Sequence, residues 1–197
     1  MKISSSLDDT YKEFDNYIDI FLKEDPKLTV ISSKPGNKSW KHFDNLTNIL
    51  TLKIDFEINI PFSANTDIGI ILEQRHIWDA KFYGLELLEI IQQGEVIFYH
   101  CAKMPALISD RDFVVHRKIL QDYRGFGLLI GLNSVIRSEK PPVSGKVRAE
   151  MLDSFMGINP VDGGQKTKIV GLVKTKFGGS LPNWAIKIIS GMIPNEM

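Results

Sequence analysis

His100 and Cys101 adjoin in this sequence, and an imidazole beside a thiol is the pair from which a nucleophilic cysteine is made. The stretch around them, 95–103, has the pattern of a strand, and successive side chains of a strand point to opposite faces, which excludes a direct dyad. His42, His76 and His116 stand at no metal-ligand spacing, and a single cysteine allows neither an internal disulfide nor a cysteine-rich zinc site. Asp110 and Asp112 flank Arg111, a pattern read as surface ion pairing at a strand start rather than as a general acid and base. GxSxG, HExxH, Walker-type and GxGxxG motifs are absent, and Gly125, Gly127 and Gly131 read as bends within or beside a strand. The expectation is no catalytic residue, no metal site and no cofactor.

Two polar residues interrupt apolar stripes instead. In 110–121, Phe113, Val115, Arg117 and Ile119 share one face; in 95–103, Val96, Phe98, His100 and Ala102 share one face. Alone, each has a plain reading, a partnered structural arginine and a core histidine. A buried guanidinium needs an acceptor from protein, water or ligand. Two polar groups in one dry interior are what a mainly apolar ligand with a polar head requires.

The elements that must position them follow from periodicity. Leu7, Tyr11, Phe14, Ile18 and Phe21 recur at steps of three or four after Ser6, predicting an amphipathic helix over 7–24 that Asp25-Pro26 ends. SSKPGNKS at 32–39 reads as a loop. Over 50–60, Leu50, Leu52, Ile54, Phe56, Ile58 and Ile60 alternate with polar residues as a strand with one dry side. Residues 62–74 read as a helix, followed by a turn through Trp78 and Asp79. Segments 84–92, 95–103, 110–121, 126–136, 144–156 and 166–177 then follow at the spacing of an antiparallel meander, with Val147, Ala149, Met151 and Phe155 on one face of the fifth. Ser180 is the expected N-cap of a last helix with Pro182 in its first turn and Leu181, Trp184, Ala185, Ile188, Ile189 and Met192 on one apolar face. The fold class is α+β, a curved antiparallel sheet gripping a C-terminal helix, as a single domain over 1–197.

Composition narrows the function. Lys and Arg number 24, as do Asp and Glu, so the formal net charge is zero and no domain-wide basic field attracts nucleic acid. One cysteine suits a reducing, cytoplasmic setting, and no apolar run approaches signal-peptide or bilayer-spanning length.

The order of several short segments resembles the StAR-related lipid-transfer (START) domain family. These are Trp78-Asp79; the run from Ile108 through Ser109, Asp110, Arg111, Asp112 and Phe113 to Val114, with Arg117 following; Ser134; Pro141-Pro142; Gly145 to Glu150 with Val147-Arg148-Ala149-Glu150; and Gly178-Gly179-Ser180-Leu181-Pro182-Asn183-Trp184. The resemblance implies a helix-grip fold whose C-terminal helix is the lid of a hydrophobic tunnel. It implies binding of a single lipid, a phospholipid, sterol or sphingolipid, for transfer between membranes or for sensing. By position Arg117 is similar to the family's cavity arginine, with His100 standing where an acid is commonly found. Lys176 stands where the family often has Asp, and the lid helix is short, ending before Pro194.

These readings combine into one expectation: a monomer, non-catalytic, that meets a membrane surface transiently and takes a lipid whose tail lies along Phe98, Phe113, Val115, Met151 and Phe155. Arg117 and His100 meet its head, under a lid bearing Trp184 and Ile188. The alternative is a cyclase or hydrolase on a similar scaffold, with His100 as acid–base and Arg117 as oxyanion partner.

Overall fold

A computed structural model describes residues 7–62 and 75–192. The helix expected over 62–74 lies, from residue 63 onward, outside them. The elements are α1 (Leu7–Leu22), β1 (Thr29–Lys34), β2 (Asn37–Asp44), β3 (Ile49–Ile58), α2 (Arg75–Trp78), β4 (Phe82–Gln92), β5 (Glu95–Ala102), β6 (Arg111–Tyr123), β7 (Phe126–Ser134), β8 (Val147–Arg148), β9 (Glu150–Met151), β10 (Ser154–Val161), β11 (Lys166–Lys176) and α3 (Asn183–Met192). The main sheet runs β1-β2-β3-β11-β10-β7-β6-β5-β4, with β8 beside β6 and β9 beside β11. Neighbours along the main path are antiparallel, while β8 runs parallel to β6.

The expected loop at 32–39 is a correction: it is the hairpin of β1 and β2, turning through Pro35 and Gly36, with Gly36 at φ 68°. Pro presets the first middle position of such a turn and Gly supplies the positive φ of the second. The flanks are polar because β1 is an edge strand, and its residues are exposed or half-buried.

The sheet is packed on both faces. On the convex face, Phe14, Tyr17 and Ile18 of α1 are buried against Leu129, Phe155 and Leu172, where the missing side chain of Gly131 admits the Phe14 and Tyr17 rings. Lys118 Nζ reaches Glu13 at 2.6 Å, and Lys53 Nζ donates to the Phe21 carbonyl at 2.6 Å, capping the end of α1.

On the other face, one cluster joins Leu50 and Leu52 of β3, Leu181, Ala185 and Ile189 at α3, and Met104 and Ile108 just after β5. β3 and β5 are five strand steps apart, about 24 Å in a flat sheet, against a helix about 10 Å across. A shared cluster at one helix therefore requires the sheet to curl around α3, as expected.

Two further corrections concern parity and phase. The strand expected over 144–156 is broken at Leu152 and Asp153, where Asp153 takes φ 40°. The bend reverses the alternation, so Met151 faces the concavity while Phe155 lies on the convex face against Tyr17 and Phe21. In α3, the Pro182 carbonyl accepts the N–H groups of Ala185 and Ile186, so the helix starts there and Ser180 is not its cap. The helix turns its 185–189 row inward, and Trp184 (45% exposed) and Ile188 (40%) lie on the outward flank.

Candidate functional site

The concave face of β5, β6 and β7 is laid out by the ladder register. Phe113 stands opposite His100; Val115 opposite Phe98 and Ser134; Arg117 opposite Val96 and Leu132; Ile119 opposite Ile130. Phe98, Phe113, Val115 and Ala149 are buried as one cluster, with Val96, Ala102, Leu132 and Met151 packed on it but only partly buried. Beyond Arg117 the same face continues into Leu128, Ile130 and Ile158, flanked by Phe62, Ile119 and Met156. Each side chain that keeps exposure on this face is apolar surface the protein's own core does not cover.

His100 sits in an aromatic box. Its ring stacks on Phe113 at 4.8 Å and 4°, on Phe82 at 4.9 Å and on Phe98 at 5.5 Å. Burial, aided by the Arg75 charge, lowers its pKa to about 3, so the imidazole is neutral near pH 7. Its Nδ1 is buried without a hydrogen-bond partner among the described residues, a position that costs free energy until a partner fills it.

Arg117 is buried between Val96 and Leu132. Here the expectation of His100 beside Arg117 is corrected. His100 pairs with Phe113, four residues from Arg117 along β6, or about 13 Å of strand. His100 lies near the end of β5 that leads to Met104, and Arg117 lies toward the end where β4 and β5 are joined. The two polar groups are therefore at different depths of one face.

Of the remaining expected ligand contacts, Phe98, Phe113, Val115 and Met151 are brought together on this face with Arg117 and His100. Phe155 is on the opposite face, and Trp184 and Ile188 are on the outside of α3. Cys101 points away from His100 into the cluster of Ile97, Tyr99 and Val114, its Sγ donating to Tyr99 Oη at 3.1 Å. Among the described residues no group of three or more His, Cys, Asp or Glu is placed to hold a metal ion.

Sequence reasoning missed Arg111. Read as a surface charge, it is one of the largest fully buried side chains. Its Nε donates to the Phe177 carbonyl at 3.0 Å, and its two Nη groups to the carbonyls of Ser109 and Gly178. It thereby ties the start of β6 to the hinge that leads into α3. Its flanking aspartates are also engaged. Asp110 accepts from Tyr83 Oη and, at 2.9 Å, from the Met104 N–H, and buried Asp112 pairs with Arg148 at 2.9 Å. No local pattern could have shown this, because two of the three acceptors lie 66 and 67 residues away in sequence. Lys176, the departure at the approach to the hinge, pairs with Glu150 at 3.2 Å.

A curled antiparallel sheet holding a C-terminal helix over an apolar concavity defines the helix-grip class of lipid-binding domain, and residues 29–193 match the family model described as START domain. The chain belongs to the START domain family. It is 29% identical over 136 residues to human (Homo sapiens) StAR-related lipid transfer protein 13, covering 68% of this chain and 12% of that protein, so it spans about an eighth of the length of that relative. It is 21% identical over 147 residues to a rat (Rattus norvegicus) acetyl-coenzyme A thioesterase, covering 71% of this chain and 26% of that enzyme. The solved human StarD13 lipid transfer and protein localization domain superposes with a TM-score of 0.71 at 22% identity, over 98% of this chain and 94% of that one. Among the described residues no helix is long and apolar enough to cross a membrane.

Proposed function

We propose that this protein holds one lipid molecule between the sheet and α3 and carries or senses it without transforming it. The observation that supports this most directly is the concave face itself: an apolar surface, incompletely covered, that contains a buried imidazole nitrogen with no hydrogen-bond partner among the described residues and a buried arginine. Apolar area removed from water stabilises by about 25 cal/mol per Å², so a lipid chain laid along Phe98, Phe113, Val115 and Met151 is strongly favoured over water there. The polar head sits at Arg117, and a second polar group along the molecule hydrogen-bonds His100 Nδ1. A phospholipid, sterol or sphingolipid satisfies that chemistry. Entry is beside α3, at a membrane surface, because a closed cavity needs a moving wall.

The enzymatic reading requires His100 and Arg117 beside the same reacting carbonyl. The register sets their backbones about 13 Å apart along the strands, which supports two separate contacts along one ligand over joint action at a single carbonyl. Native mass spectrometry after incubation with mixed liposomes tests the proposal. One lipid mass per protein, recovered unhydrolysed, is expected; no mass increment with any lipid class overturns it.

A further inference from the structure

Two polar atoms on the far wall of the concavity are left unpaired by the fold. Ser39 of β2 is fully buried, yet its Oγ has no hydrogen-bond partner among the described residues. Asn37, two residues before it, is half-buried, and its buried Oδ1 is likewise without a hydrogen-bond partner among them. The β2–β3 register puts Ser39 opposite Ile54 and Asn37 opposite Phe56. Both of those share the face of β3 on which Leu50 and Leu52 meet α3, so the polar pair belongs to the concave face. A buried polar group left unpaired costs free energy that an aliphatic side chain in its place would not. Here two such groups stand about 7 Å apart along one stripe of one strand.

One register row joins them to the rest of the interior. Ile54 stands opposite Gly171, Gly171 opposite Met156, Met156 opposite Ile130 and Ile130 opposite Ile119. Ile119 is two residues from Arg117 on the same face of β6, so Ser39 and Arg117 lie within about 7 Å of the same depth. β2 and β6 are five strand steps apart, and the curl that brings β3 and β5 to one helix makes them facing walls. Gly171 leaves the row without a side chain at its middle, and Met156 fills the gap: a Cβ at 171 would stand 3.0 Å from Met156 Cγ and 3.4 Å from Ile54 Cγ1. Methionine is unbranched and repacks readily, so a guest that displaces it reaches Ser39 along the row.

We infer that Ser39 and Asn37 form a polar subsite of the interior for a hydroxyl group of the bound lipid. Asn37 Oδ1 only accepts, whereas the Ser39 hydroxyl donates and accepts, so a ligand O–H that donates to Asn37 while accepting from Ser39 satisfies both. A phosphate diester, an ester carbonyl or a quaternary ammonium has no hydrogen to donate to Asn37. The inference rests on the reading that one lipid occupies the interior. It adds that this lipid carries a free hydroxyl, set across the concavity from Arg117.

Native mass spectrometry after incubation with liposomes that hold matched lipids in competition tests this. Phosphatidylglycerol and phosphatidylpropanol differ only in head hydroxyls at equal charge; cholesterol and its methyl ether make the same comparison in a neutral ligand. The hydroxylated member of at least one pair is expected to be retained about fivefold over its partner, the equivalent of roughly one net hydrogen bond. Ser39→Ala/Asn37→Leu is expected to bring that ratio to about one, while total lipid uptake persists and the urea midpoint holds or rises, because no side-chain hydrogen bond within the fold is lost. Uptake without preference in either pair, or a preference that survives in the double variant, overturns the subsite and leaves the interior reading standing. No uptake of any of the four lipids overturns the interior reading and the subsite with it.

Discussion

Arg117 stands opposite Val96 across the β5–β6 ladder, a charged side chain facing an aliphatic one, four residues along β6 from the pair that Phe113 makes with His100. Arg117 is buried and has a partner, and removing one member of a buried charge interaction is destabilising because it leaves the other uncompensated. Arg117→Met is therefore expected to lower the urea midpoint, at a cost of about 3–5 kcal/mol, and in the folded fraction to weaken retention of the lipid by at least about tenfold, if one charge-assisted hydrogen bond of roughly 1.5–3 kcal/mol is lost. Chemical denaturation and lipid occupancy by native mass spectrometry, run on the same preparation, check both halves.

The buried imidazole gives a pH dependence with a definite sign. In the unfolded chain His100 has an ordinary pKa near 6.5, while burial and Arg75 hold it at about 3 in the folded protein. Below pH 6.5 the unfolded state binds a proton that the native state refuses. The contribution is thus fully present above that pH and is lost as pH falls toward 3, at no more than ~1.4 kcal/mol per pH unit for one proton. His100→Phe is expected to flatten the stability profile between pH 6 and pH 4 relative to the parent. Urea titrations at stepped pH measure the difference; parallel profiles would show that the imidazole titrates freely in the fold.

Phe155 provides the converse control. Its ring is stacked parallel to Tyr17 at 6.2 Å and edge-on to Phe21 at 5.5 Å, on the convex face. Phe155→Ala is expected to cost about 3–5 kcal/mol through the cavity it leaves, with lipid stoichiometry unaltered in the fraction that remains folded. Met151→Ala, on the concave face, is expected to do the reverse in rank: a smaller stability loss and a measurable change in lipid retention.

The contrast between these two residues also marks how far a sequence can be read. The alternation through β5 and β6 is unbroken, so placing His100, Phe98, Phe113, Val115 and Arg117 on one face needed only the period of a strand. Met151 and Phe155 would share a face in a straight strand. A single residue at positive φ, Asp153, reverses that, and Asp is common enough in ordinary polar positions that nothing announces the bend. The β1–β2 hairpin was hidden for a different reason: an edge strand has no need of an apolar face, so its composition is that of a loop. The helix α3 is apolar over more of its surface than the core can cover, and its periodicity therefore identified the helix but not which row turns inward. Arg111 is the limiting case. Two of the three carbonyls that justify its burial, those of Phe177 and Gly178, are distant in sequence, and only the closed sheet brings them within reach.

That arginine sets the last prediction, because it is the joint between the sheet and the helix that closes it. The Arg111 fork holds the carbonyls of Ser109, Phe177 and Gly178 together. Gly178 itself, at φ 63°, is so close to β8 that a Cβ there would stand 2.7 Å from the Arg148 carbonyl oxygen. Neither feature tolerates change. Lysine at 111 keeps the charge but has one nitrogen where three carbonyls need a planar fork, and alanine at 178 adds both left-handed backbone strain and a contact with backbone that has no room to yield. Arg111→Lys and Gly178→Ala are each expected to lower stability by about 1–3 kcal/mol, and to loosen α3 in particular. Hydrogen exchange should show protection falling first in residues 183–189, while the α1 contacts with β7 and β10 keep theirs. Uniform loss of protection across both faces would mean that the hinge and the sheet unfold as one unit, and that α3 does not move independently to admit a ligand.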